Sequence, residues 1–213
     1  MTSQTVVQGI DVSNWQGNLD WQAWKGKIGF AMARATEGDG ETDPDFGTNW
    51  DAMWWLQADH RFPRWAYGFF HASQDPVVQA AHLVATVKGH GLLPGDNFVL
   101  DLESTVPDGQ LNDGLPPRVV APRAAECLRK INELAPGHRV LPYMNPAWAL
   151  EGGGEGMAAW YLWLADYGVP APTAPQPWDR ATFWQYTSDP IDGDRFMGDE
   201  AQLLAFTRMP DYR

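Results

Sequence analysis

Residues Asn97–Thr105, NFVLDLEST, decide the reading of this chain: an apolar strand runs into two acids separated by a single leucine. Neighbouring side chains of an extended strand point to opposite faces, so Asp101 and Glu103 share one face and Leu102 takes the other. With that face turned into an α/β barrel, the two carboxyls stand at the C-terminal end of a strand, where barrel enzymes carry their chemistry. Such a pair is coupled, because ionising one acid makes ionising the other harder, and one of them can keep a proton for use as a general acid. Taken alone, a D-x-E is an ordinary solvated strand end. The rest of the chain has to carry the argument.

Working outward, short β-forming runs alternate with longer helical stretches, the pattern of βα units rather than of a sandwich. Strands are predicted at Val6–Asp11, Gly29–Ala35, Trp65–His71, Asn97–Glu103, Arg139–Met144, Ala159–Ala165 and Ala181–Tyr186. Helices are predicted at Asp45–Asp59, Pro76–His90 and Arg118–Leu134, the last two followed by Gly or Pro stop signals. Beyond them the chain changes character. GGGEG at 152–156 and the Pro-rich stretch Val169–Pro177 are too broken for full helices, and the latter reads as a surface loop. The predicted fold is α/β, a modified TIM-like barrel with a helix-poor C-terminal half, formed by residues 1–213 as a single domain.

Polar groups recur where the predicted strands end. GIDVSNWQG delivers Asp11, with Ser13, Asn14 and Gln16 following; RATEG offers Arg34 and Glu37; AYGFFHAS offers Tyr67 and His71. LWLADYG supplies Trp163, Asp166 and Tyr167, FWQYTS supplies Trp184, Gln185 and Tyr186, and IDGDRF supplies Asp192 and Asp194. Carboxyls for proton transfer beside flat apolar rings are what a polysaccharide cleft needs. Tyr67, Tyr143, Trp163, Tyr167 and Trp184 are therefore candidate sugar platforms, with Glu37 as a further substrate contact.

Composition narrows the partners. The 213 residues carry a net charge of −12, which opposes nucleic acid and anionic membrane surfaces and also repels an anionic cell wall, so wall binding must come from contacts in a cleft. The 44% hydrophobic content supports a sizeable core, and the protein is read as a monomer. Cys127, the single cysteine, excludes an intramolecular disulfide and reads as a buried helix residue. His60, His71, His82, His90 and His138 lack metal-ligand spacing, and no cofactor is called for. The first residues, MTSQTVVQGIDVS, do not read as a signal peptide. Synthesis in the cytoplasm and action on the wall after release are the expectation.

In their order and spacing, GIDVSNWQG, FAMARATEG, AYGFF, VLDLE, LPYMNPAW, LWLADYG, FWQYTS and IDGDRFMG resemble the Chalaropsis-type lysozymes of glycoside hydrolase family 25, which include bacteriophage endolysins. The resemblance implies five βα units followed by three strands, a (β/α)5(β)3 barrel. It also implies hydrolysis of the β-1,4 bond from N-acetylmuramic acid to N-acetylglucosamine in peptidoglycan. Carried over by motif, Glu103 is the acid that protonates the leaving oxygen and Asp101 lies beside the reacting sugar. Asp11 and Asp192 take the remaining acidic positions, Asp192 being preferred to Asp194 because it occupies the aspartate position of the motif. One departure stands out: Gly68 follows Tyr67 where the family commonly has histidine. The 2-acetamido groups of such a substrate permit either substrate assistance or a classical inverting route. Rival readings are a catalytically silent carbohydrate-binding barrel and a hydrolase of chitin or another acetamido-sugar polymer.

Overall fold

The structure, a computed structural model, describes residues 6–57, 62–107 and 109–207. Strand β5 (Asn97–Asp101) is buried along its whole length, as a parallel strand covered on both faces must be. Around it lie β1 (Val7–Val12), β2 (Phe30–Glu37), β4 (Arg64–Phe69), β6 (Val140–Met144), β7 (Trp163–Ala165), β8 (Phe183–Thr187) and β9 (Asp192–Phe196), while the short β3 (Glu41–Thr42) hangs on β2. Hydrogen-bonded in the order β1-β9-β8-β7-β6-β5-β4-β2, with β1 also paired to β2, the eight close into a barrel. All neighbours run parallel except β9, which is antiparallel to both β1 and β8. Closure demands a close approach: a Cβ on Gly9 would stand 2.4 Å from the Phe30 ring across the β1–β2 seam.

Helices cover one half of the barrel. α1 (Phe46–Trp54), α2 (Pro76–Gly89) and α3 (Pro117–Leu134) lie between the early strands, and the one-turn α4 (Pro146–Trp148) runs into a wider turn at Ala149–Gly153. The α2 boundary follows from its residues: Asp75 Oδ1 accepts from Val77 N at 2.7 Å and from Val78 N at 3.2 Å, and Pro76 occupies the first turn, where its missing N–H costs nothing. No helix separates β7, β8 and β9, and α5 (Glu200–Thr207) follows them. The helix-poor second half is thus as the Gly and Pro placement indicates. All seven predicted strands are found, although the one predicted over Ala159–Ala165 shrinks to three residues. β3 and β9 correspond to none of the predicted strands. α1 stops at Trp54, short of Asp59; residues 58 and 59, like His60, lie outside the described residues.

Strand alternation divides the apolar side chains between two cores. Phe98, Leu100 and Leu102 face outward and join Leu83 and Val87 of α2 and Leu128 of α3 in the layer between sheet and helices. Phe30, Trp65, Val99, Leu141, Phe183 and Phe196 fill the interior. At the closed end Phe183 meets Phe30 at 5.0 Å, Trp65 at 5.1 Å and Phe196 at 5.2 Å between ring centroids, and Phe206 of α5 stacks beneath Trp65 at 6.0 Å. Cys127 is buried in α3, where burial pushes its thiol pKa up and leaves it unreactive. Among the described residues no helix is long and apolar enough to cross a membrane.

Candidate active site

Following the interior face of β5 upward from Val99 leads to Asp101 and then Glu103, while Leu102 packs into the outer core with no exposed surface. The parity read from DLE is therefore the parity of the barrel. Both acids line a cavity of about 400 Å³ at the C-terminal ends of the parallel strands, together with Asp11 from β1 and Asp192 from the start of β9. Asp11 and Asp192 face each other in register across the antiparallel pair. Two residues further along β9, Asp194 lies fully buried against Gly9, and its Oδ1 accepts from Trp163 Nε1 at 2.9 Å. Asp192 reaches the cavity; Asp194 supports it from below.

Proton affinity rises throughout this cluster. Burial, together with the charges of Asp192 and Glu103, lifts Asp11 to about 8 against a bond from Gln185. Burial, with Glu103 and Asp11 adding, drives Asp101 well above the carboxylate range, and Arg34 opposes the shift. Glu103 is raised by burial and by Asp192, with the nearby Tyr143 hydroxyl pulling the other way. Asp192 is raised by burial, and Asp194 well above its ordinary value by burial and by Asp11. These are carboxyls packed too closely and too dryly for all to ionise, so protons stay in the cavity at neutral pH. Asp101 Oδ1 is buried without a hydrogen-bond partner.

Neutral groups hold the acids in place. Gln185 Nε2 donates to Asp11 Oδ2 at 2.7 Å, while its Oε1 accepts from Tyr143 Oη at 2.8 Å and from Tyr167 Oη. Arg34 is the cation of the cavity wall; its Nε donates to Asp43 Oδ2 at 2.9 Å, and further bonds tie it to Asn14 and Glu37.

The model of glycosyl hydrolases family 25 matches residues 10–194, a span from β1 to β9 that contains the whole acid cluster. The chain belongs to that family. The family 25 chain is similar to Lysozyme M1 of Streptomyces globisporus, at 32% identity over 222 residues covering 93% of this chain and 70% of the relative. It is also similar to the N,O-diacetylmuramidase of a Chalaropsis species, at 29% over 195 residues, or 84% of this chain and 87% of that one. The solved lysozyme of Streptomyces coelicolor superposes with a TM-score of 0.80 at 29% identity, covering 98% and 99% of the two chains. Family 25 membership makes the chain a glycoside hydrolase of the lysozyme and muramidase kind.

Eight of the ten residues singled out from sequence line the family 25 cavity: Asp11, Asp101, Glu103, Asp192, Tyr67, Tyr143, Trp163 and Tyr167. Two do not. Glu37 stands at the rim beyond a bulge in β2 and pairs with His71 at 3.1 Å and Arg34 at 3.4 Å. Trp184 lies between the inward-facing Phe183 and Gln185, so it turns out of the barrel; Arg195 stacks on it at 5.0 Å, and its Nε1 donates to the Asp166 carbonyl at 2.7 Å. Gly68 also faces outward, where a Cβ would meet Thr36 and Leu83, so the departure after Tyr67 removes nothing from the cavity. His71 instead bridges Glu37 and Asp113; burial works against its charged form, yet bonds to these two carboxylates raise its pKa.

Tyr67, Tyr143 and Trp163 are almost fully buried and pack on one another, with 4.4 Å between the Tyr143 and Trp163 centroids. They form walls and floor more than open platforms. Trp15, not selected from the sequence, lines the cavity with its ring in solvent. Its signal was present in Ser13-x-x-Gln16, a capping box that tightens the turn just past β1 and turns the residue within it outward. A larger recess of about 560 Å³ lies outside the barrel beside α3, and none of the strand-end acids lines it.

Proposed function

We propose that this chain is an N-acetylmuramidase that cuts the β-1,4 bond between N-acetylmuramic acid and N-acetylglucosamine in peptidoglycan, acting as a bacterial or phage cell-wall lytic enzyme with Glu103 as its general acid. The observation that carries the reading is that buried Asp101 at the end of β5 and half-buried Glu103 two residues beyond it share a cavity with Asp11 and Asp192. The lysozyme and muramidase relatives support the choice of glycan.

The chemistry follows from the closeness of Asp101 and Glu103, whose charges oppose each other's ionisation. A substrate acetamido N–H donating to the Asp101 carboxyl lowers its proton affinity, as Arg34 already does. The proton shared by the pair then resides on Glu103. Glu103 gives it to the glycosidic oxygen as that bond breaks, while the acetamido carbonyl oxygen attacks the anomeric carbon and forms an oxazolinium intermediate. Ionised Asp101 balances the positive charge on that ring. Water then adds at the anomeric carbon, losing its proton to the Glu103 carboxylate, which restores the starting state with retained configuration. Asp11 and Asp192 hold the electrostatic frame, and Gln185 orients Asp11.

Mass spectrometry of purified-wall digests tests the bond: new reducing ends are expected on muramic acid. Reducing-end glucosamine, or equally rapid cleavage of chitin oligomers, would assign the chain another glycosidic bond.

A further inference from the structure

Trp15 combines two properties seldom found together. Its ring is 82% exposed, although it belongs to the lining of the acid cavity. Its backbone is nevertheless held on both sides. Ser13 N donates to Gln16 Oε1 at 2.7 Å, and Trp15 N donates to Ser13 Oγ at 3.2 Å, which closes the turn. Asn14 N donates to Asp43 Oδ2 at 3.0 Å, and Arg34 donates to Asn14 Oδ1. On the other side Gln16 Nε2 donates to Asp192 Oδ2 at 3.3 Å. An indole with this exposure adds little to folding, whereas a fixed backbone lowers the entropy lost when a ligand lies against it.

The second exposed aromatic of the cavity is Tyr167, at 49%. Trp15 follows β1 and Tyr167 follows β7, with β9 and β8 between them in the sheet. The pair thus flanks the strands that carry Asp192 and Gln185. Asp101 at the end of β5 and Glu103 two residues beyond it mark where the cleaved bond would lie in the muramidase reading. Trp15 stands past the end of β1, in the lining of the cavity with its ring in solvent.

We infer that Trp15 is a specificity-determining residue that stacks on a pyranose ring beyond the two sugars whose bond is cut, so that affinity grows with glycan length until that ring is present. Sugar rings offer a C–H face that matches a flat indole, and the reacting rings are engaged by the carboxyls instead. The inference rests on the muramidase reading given above.

The test is steady-state kinetics on a size-graded series of unbranched wall glycan oligosaccharides, from tetrasaccharide to octasaccharide, with the wild type, Trp15→Ala and Trp15→Phe. For the wild type, kcat/KM should rise on the order of tenfold at one step in the series, the contribution of one aromatic stacking contact. Trp15→Ala should lose that step through KM rather than kcat, with its melting temperature unchanged, and Trp15→Phe should recover most of it. An unchanged length profile in Trp15→Ala overturns the inference, as does a fall in kcat at every length, which would mark a role in the chemistry or the fold. Failure of the wild type to cleave any member of the series rejects the muramidase reading, and the Trp15 inference falls with it.

Discussion

The two ends of the barrel interior are built from the same strands and the same alternation, yet they serve opposite purposes. At the closed end Phe30, Trp65, Phe183 and Phe196 interlock as rings and Phe206 seals them. At the open end the cavity lining carries Asp11, Asp101 and Asp192 among the Tyr67, Tyr143 and Trp163 rings. Inward direction alone therefore does not make a residue functional; its height along the strand does. The aromatic end supplies the burial that lets the acidic end tolerate several carboxyls whose ionisation is unfavourable.

Breaking one residue at each end should separate the two purposes most widely. Glu103→Gln keeps size and polarity but deletes the transferable proton, so turnover should fall about 10²–10⁴-fold, the usual contribution of general acid catalysis. Its melting temperature should stay level or rise, because a raised carboxyl is removed. Phe183→Ala should instead cost about 3–5 kcal/mol of stability as a large buried ring leaves a cavity. At temperatures where that variant is folded, its turnover should remain near wild type. Denaturant unfolding and wall-lysis rates on both variants provide the check, and near-wild-type lysis by Glu103→Gln would exclude it as the acid.

A pH experiment sharpens the same contrast. Asp11 is lifted from 3.8 to about 8, and Asp194 is also raised, so the folded chain binds protons more tightly at these sites than the unfolded chain does. Stability from these groups is fully present below the ordinary carboxylate range and is lost as pH rises toward about 8. Asp194→Asn removes one of the raised acids and keeps an acceptor for Trp163 Nε1. The variant should match the wild type in melting temperature near pH 4 and exceed it by a few degrees near pH 8. Equal destabilisation at both pH values would show that Asp194 serves packing alone.

Those acids differ in how far the sequence exposes them. β5 could be read directly, because NFVLD is apolar and its alternation puts Leu102 opposite the two acids. β9 could not: DGDRF combines a glycine with two aspartates, weak strand formers, and becomes a strand only through pairing with β1 and β8. That tertiary pairing also decides between Asp192 at the cavity and Asp194 beneath it. The bonds joining Gln185 to Asp11 and to two tyrosines span 174, 42 and 18 residues, separations that no local pattern encodes. Trp15 lies in a turn past β1, where strand alternation no longer says which way a side chain points.

The orientation of Trp184, by contrast, is encoded locally. In FWQYT the inward-facing residues are Phe183 and Gln185, so the rule that pairs Asp101 with Glu103 places Trp184 on the outside. Packed against Arg195 and bonded to the Asp166 carbonyl, it helps cover the outer face of β8, which no helix separates from β7 or β9 in sequence. Trp184→Phe should accordingly keep KM and kcat within about twofold of wild type while losing about 1 kcal/mol of stability with the indole hydrogen bond. Kinetics on soluble glycan oligomers and denaturant unfolding measure the two effects separately. A tenfold rise in KM with unchanged stability would return Trp184 to the substrate surface and show that the β8 wall, as well as the barrel mouth, contacts the glycan.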